Sequence, residues 1–119
     1  MEIFSNGKII ADVEVADSMW KRVKGLMFRR IGEKNGLLLP FNEDKRWEIW
    51  MPFVPQKLGL IFLDSKKRVV DVKVAVPITL DPRTWRIYKP DERCRYVLEI
   101  HPEKVKNIKP GDTLEWSYD

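Results

Sequence analysis

The segment Leu58-Gly59-Leu60-Ile61-Phe62-Leu63, followed by Asp64-Ser65-Lys66-Lys67 and then by Val70, Val72, Val74 and Val76, limits the possible folds more than any other part of the chain. A short run that is apolar on both faces suits a strand covered on both sides, and valines alternating with Asp71 and Lys73 suit a half-buried strand. The polar stretch between them is a turn. This is the clearest hairpin in the chain.

Asn6-Gly7 precedes Ile9, Ala11, Val13 and Val15, which alternate with Asp12 and Glu14, as a tight turn feeding a half-buried strand. Asp17 or Ser18 can cap a helix of about two turns carrying Trp20, Val23 and Met27 at helical spacing, ended by Gly25. Gly36 to Phe41 and Trp47 to Met51 are apolar runs stopped by prolines, read as strands around a charged loop from Asn42 to Arg46. Pro52 and Pro55 force an irregular crossing. Pro77 to Cys94 has three prolines and no sustained periodicity, which marks a long loop suited to a lid or a partner surface. Tyr96, Leu98 and Ile100 alternate with Val97 and Glu99 as another strand, Pro102 starts a short helix through Val105, and Pro110-Gly111-Asp112 turns into a last strand with Leu114, Trp116 and Tyr118 on one face. The expected fold class is therefore α+β and mainly β: a small rolled antiparallel sheet or barrel with one or two short helices, residues 1–119 forming a single domain.

Composition narrows the class of protein. With 44% hydrophobic and 11% aromatic residues the chain is too apolar to stay disordered despite 34% charged residues. Cys94 is the only cysteine, so no internal disulfide can form; the N-terminus lacks a signal-peptide pattern and no apolar run is long enough to span a bilayer. The expectation is a cytoplasmic protein without membrane contact. Abundant charge with a single glutamine, Gln56, fits the surface ion-pair networks of proteins from hot habitats. The net charge of +4 is a mild excess, concentrated at Lys21, Arg22, Lys24, Arg29 and Arg30 and again at Arg83, Arg86, Lys89, Arg93 and Arg95.

Chemistry-bearing patterns are few. Cys94 and His101 are each single and lie a strand's length apart, which argues against nucleophilic catalysis and excludes a structural zinc site wanting four such ligands. Asp64, Asp71 and Asp81 match no calcium-loop spacing, and the dispersed glycines form no phosphate loop, so neither metal nor cofactor is expected. Glu99 stands out because a carboxylate in an apolar strand must be paired, carry a shifted pKa, or face water from an edge strand. Phe41, Trp47, Trp50 and Phe53 beside Met27 and Met51 either pack the core or wall a ligand pocket for which Arg29 offers a polar anchor. Basic residues interleaved with aromatics, Lys21, Arg22 and Lys24 after Trp20 and Arg83, Trp85 and Arg86 near Tyr88, could bind phosphates and stack bases, although an amphipathic solvated helix explains the first cluster.

Gly25-Leu26-Met27-Phe28-Arg29, Gly36-Leu37-Leu38, Trp50-Met51, Leu58 to Asp64, Tyr96-Val97-Leu98-Glu99 and Gly111-Asp112, in this order, resemble the domain of unknown function 192 family over nearly the whole chain. The resemblance implies a small β-rich domain from bacteria or archaea, often preceded by an export signal, with no agreed reaction. This chain departs from the family's pattern at Trp50 to Val54, where a Lys-Asn-Thr run is common, and at Leu58-Gly59, where an Asp usually follows the Leu.

From these residues the favoured function is non-catalytic binding of a small molecule or a protein, at a candidate pocket of Arg29, Trp47, Trp50, Met51 and Glu99, with no catalytic residues assigned. Nucleic-acid binding through segments 20–30 and 83–95 is one alternative. The other is an enzyme using Glu99, Arg29 and Asp71 or Asp81 on an anionic or carbohydrate-like substrate. For Arg29 itself, the guanidinium is expected to be satisfied by Glu99 or by backbone carbonyls rather than to wait for an anion, so that Arg29→Ala would cost about 3–5 kcal/mol.

Overall fold

The computed structural model describes residues 1–117, the side chain of Val23 excepted. Along the chain lie β1 (Glu2–Ser5), β2 (Lys8–Val15), α1 (Met19–Lys24), β3 (Asn35–Lys45), β4 (Ile49–Trp50), β5 (Leu58–Leu63), β6 (Val69–Ala75), β7 (Ile87–Tyr88), β8 (Cys94–Ile100) and β9 (Leu114–Glu115), with short 3₁₀ turns at Pro82–Thr84 and Pro102–Asn107. Seven strands form one sheet in the order β6-β5-β8-β3-β2-β1-β9, and β4 pairs with β7 in a separate ribbon. The long sheet curls, because its two edges meet where Arg68 bridges Thr113 and where the Leu114 amide donates to the Lys67 carbonyl. The result is the rolled, mainly β architecture that the strand patterns imply.

The local signals account for most elements. Asn6 and Gly7 both adopt positive φ and turn β1 into β2. The Ser18 hydroxyl accepts from the Lys21 amide at 3.1 Å, capping α1, and Gly25 at φ 52° and ψ −128° ends it in a conformation suited to glycine. Every residue of β5 is buried, as its two-sided apolar run requires. Leu58, Leu60 and Phe62 enter one core with Leu37, Leu39 and Val97, while Ile61 and Leu63 enter the other with Leu38, Leu98 and Ile100.

Four features differ from the sequence expectation. All pairings are antiparallel except β2 with β3, which run parallel because residues 16–34, including α1, cross back over the sheet. The charged stretch Asn42–Lys45 continues β3 rather than looping, with Lys45 opposite Cys94. The stretch from Pro77 to Cys94 is tied down: β7 pairs with β4, Tyr88 is buried with its hydroxyl accepting from the Val76 amide, and the Trp85 indole donates to the Thr79 carbonyl. Trp20, expected on the buried side of α1, is 71% exposed. Tyr118, expected in the last strand, lies outside the described residues.

Close packing between β3 and β8 rests on Gly36. A β-carbon there would stand 2.6 Å from the Glu99 carbonyl oxygen and 2.8 Å from a methyl of Ile100, and backbone cannot yield as a flexible side chain does. Gly36→Ala is therefore expected to destabilise the protein by about 2 kcal/mol or more, read as a lower urea midpoint at unchanged slope. A midpoint equal to that of the wild type would contradict this packing.

Candidate functional site

Strand β8 lies between β5 and β3, so Glu99 has Leu60 on one side and Leu37 on the other in the pairing register. Alternation along β8 sends Glu99 toward the same side as Val97, the side covered by α1 and the β4–β7 ribbon. There it is 4% exposed, and its Oε1 has no hydrogen-bond partner among the described residues. The edge-strand and ion-pair explanations of this residue are both overturned: β8 is interior, and among the described residues no cation pairs with the carboxyl. Burial pushes its pKa from the ordinary 4.5 up to about 7.

Above Glu99 opens a groove of about 580 Å³. Its walls come from α1 and the residues after it (Met19, Leu26, Met27), from β3 (Leu39, Phe41) and from the segment through β4 (Trp47, Ile49, Trp50). Gly25 brings the end of α1 so close that a β-carbon on it would lie 3.5 Å from Glu99 Oε1. Trp47 is fixed by stacking on Phe41 at 4.1 Å between centroids and by donating its indole hydrogen to the Glu43 carbonyl. Arg22 lies over the Phe41 ring and Lys45 over the Trp47 ring, so each ring of the stacked pair also carries a cation. Trp50, at 62% exposed, forms part of the open rim.

The sequence candidates divide accordingly. Trp47, Trp50 and Glu99 line the groove, whereas Met51 is buried in the core behind it. Arg29 is elsewhere: it is surface-exposed and bonded to Glu14 at 3.0 Å, in a pair with side chains 43% and 66% exposed. Such a pair is worth about 0–1 kcal/mol, which replaces the larger cost expected for Arg29→Ala. Phe53 also leaves the groove, stacking on Phe28 at 5.1 Å. Sequence spacing did not reveal Met19, Gly25, Leu26 or Ile49 as groove residues; a proline-stopped apolar run beside a helix end is the signal that could have marked them.

The carboxylates proposed for acid–base work do not share this groove. Asp71 accepts from the Val72 and Asp91 amides and pairs with Lys73, and Asp81 is held by Arg83, which keeps its carboxyl below the usual range. Cys94 is buried, and burial lifts its thiol to about 11, which leaves it protonated and unreactive at neutral pH. His101 accepts from the Glu103 amide as the cap of a 3₁₀ turn. Among the described residues no group of three or more His, Cys, Asp or Glu is placed to hold a metal ion, and no helix is long and apolar enough to cross a membrane. Of the basic and aromatic residues considered for nucleic acid, Lys21 pairs with Asp17, Arg83 with Asp81, Arg22 lies on Phe41 and Arg86 on Tyr88.

The architecture defines a mainly β protein with a curled seven-stranded sheet and an apolar groove at its α1 side. By sequence, residues 1–116 match the DUF192 family of uncharacterized ACR proteins, and the chain belongs to that family. A UPF0127 protein of Pyrococcus abyssi is 40% identical over 106 residues, covering 87% of this chain and 85% of the relative. Its counterpart from Pyrococcus horikoshii is 39% identical over 107 residues, covering 88% and 87%. These relatives come from thermophilic archaea, in keeping with the charge-rich, glutamine-poor composition. Two solved structures share the fold with TM-scores of 0.82: a Sinorhizobium meliloti chain provisionally named a transcription regulator, 28% identical with 96% of this chain and 89% of that one covered, and a Novosphingobium aromaticivorans protein of unknown function, 26% identical with 97% and 84% covered. Motif residues that the family resemblance rested on meet in space, since Gly25 lies against Glu99.

An unpartnered buried carboxyl has a signature in stability. Between 4.5 and about 7 the folded state binds more protons at Glu99 than the unfolded state does, so this group's contribution falls as pH rises through that window. The full penalty, about 3 kcal/mol, is present above it. Glu99→Leu is expected to gain about 1–3 kcal/mol near pH 8 and little near pH 4.5, measured as the difference between variant and wild-type urea midpoints so that other carboxylates cancel. An equal effect at both pH values would show that Glu99 ionises normally.

Proposed function

We propose that this protein is a binding domain that takes up a small molecule with an apolar body in the α1-side groove, without transforming it. The observation that carries the reading is Glu99 Oε1, which accepts from none of the described residues, at the base of a groove walled mainly by Leu, Ile, Met, Phe and Trp side chains, with Arg22, Lys24, Asn42, Glu43 and Glu48 also lining it. Natural proteins retain a destabilising polar group where function uses it, and a few polar groups in a mainly apolar cleft are the usual composition of a ligand site. The groove's volume, about 580 Å³, falls in the range of about 300–1,000 Å³ typical of small-molecule sites.

A non-catalytic role follows from what accompanies Glu99. Paired acid–base or nucleophilic chemistry of the kind considered for this chain needs a second acid, base or nucleophile at reaction distance. The other acidic residues at the groove, Glu43 and Glu48, are engaged by Lys45 and Lys89. Arg29, Asp71 and Asp81 are absent from its walls.

Titration with the uncharged fluorophore N-phenylnaphthylamine tests the reading. Emission should rise saturably with the wild type, and Trp47→Ala, which removes one wall and the stack on Phe41, should weaken binding about tenfold. No saturable rise with folded wild-type protein, or equal affinity in the variant, would overturn it.

A further inference from the structure

We propose that the ligand of this groove is an organic amine, whose apolar body lies between Met27, Trp47 and Trp50 and whose N–H donates to Glu99 Oε1. This inference rests on the reading of the groove as a small-molecule site and adds the ligand's chemical class.

The Glu99 carboxyl lacks a donor among the described residues. Its neighbours across the sheet, Leu37 and Leu60, offer only hydrocarbon, and Oε1 accepts nothing from the described residues. An ionised carboxylate is an acceptor only, so whatever completes it must donate. A buried ionised carboxylate is stabilised far more by a charged donor than by a neutral one, because burial removes the water that would otherwise screen it. A quaternary ammonium, which has no N–H, meets the charge but leaves the acceptor unfilled. An anionic ligand meets neither need.

The charges around the cavity leave room for such a cation. Arg22 and Lys24 come from α1, Glu43 from β3 and Glu48 from the residue before β4. Arg22 is spread over the Phe41 ring, and the two glutamates have lysine partners, so Glu99 and Lys24 are the cavity's charged groups without a described partner. Lys24 is exposed, and its charge is accordingly solvated, whereas Glu99 has no such recourse. The wall beside the carboxyl includes Met27 and Trp47, both half-buried, which suits an arylalkyl or alkyl body over a polar one.

Binding of a protonated amine also moves a proton. Burial holds the free carboxyl near 7, and an ammonium at Oε1 favours its ionised form, so uptake of the cation at neutral pH displaces the proton from that fraction of molecules in which Glu99 carries it.

Isothermal titration of phenylethylamine, phenylethanol and phenylacetate into the full chain at neutral pH separates the possibilities, since the three share a body and differ in the group offered to Glu99. The amine should bind about tenfold or more tightly than the alcohol, with phenylacetate weakest. Its apparent enthalpy should vary with the buffer's ionisation enthalpy, reporting proton release. Glu99→Gln should abolish both the preference and the release while the alcohol still binds. Amine and alcohol binding with equal affinity, or a preference that survives Glu99→Gln, would overturn the amine assignment and leave the groove a ligand site. Failure of all three to bind, together with no response to N-phenylnaphthylamine, would remove the site and the assignment at once.

Discussion

Glu99 sits in the middle of an interior strand, between leucines on both neighbouring strands, on the side of the sheet that α1 covers. A carboxyl in that position is opposed by desolvation and by nothing else. Most folds remove such a group, pair it with a guanidinium, or let it reach water at an edge. Here each escape is closed by the packing. The two flanking strands deny an edge, Gly25 brings α1 down over the oxygen, and the nearest guanidinium in the family-like motif, Arg29, is committed to Glu14 on the surface.

The surrounding structure is arranged around that placement. Gly36 allows β3 to approach the Glu99 backbone closely, which keeps β8 seated between β3 and β5. The crossover from β2 to β3 carries α1 across the same side of the sheet, and Gln56 holds the return segment by bonding both the amide and the carbonyl of Ile31. Pairing of β4 with β7 then sets Ile49 and Trp50 as the opposite wall. The walls of the groove thus derive from separate parts of the chain: α1, β3 and the segment through β4.

Local physics was legible in the sequence and long-range pairing was not. The β5–β6 hairpin, the Asn6-Gly7 turn, the Ser18 cap and the 3₁₀ turn after Pro102 follow from periodicity and from residues with strong backbone preferences, and each is found where its signal lies. Strand order carries no such local mark. Nothing in Tyr96 to Ile100 says whether the strand is central or at an edge, and that single fact decides whether Glu99 is solvated or stranded. The same holds for Arg29, whose partner fifteen residues earlier in the chain is reached only through the parallel β2–β3 crossover. Strand β4 falls inside the apolar run Trp47 to Met51, but its partner β7 was hidden because a two-residue strand just before Pro90 has too little length to show a period. Of the candidate site, Trp47, Trp50 and Glu99 could be grouped from sequence, but not the α1 wall, nor the places of Arg29 on the surface and Met51 in the core.

The character of the groove therefore turns on the ionisation of one side chain. Carbon-13 NMR of protein labelled at the glutamate carboxyls, with the Glu99 resonance assigned by its loss in Glu99→Gln, follows that group alone through its titration. A midpoint near 7 in the free protein is the result predicted from its burial without a partner. A midpoint at or below the ordinary 4.5 would mean that water or a cation of the chain already satisfies Oε1, and the carboxyl would no longer be waiting for a ligand.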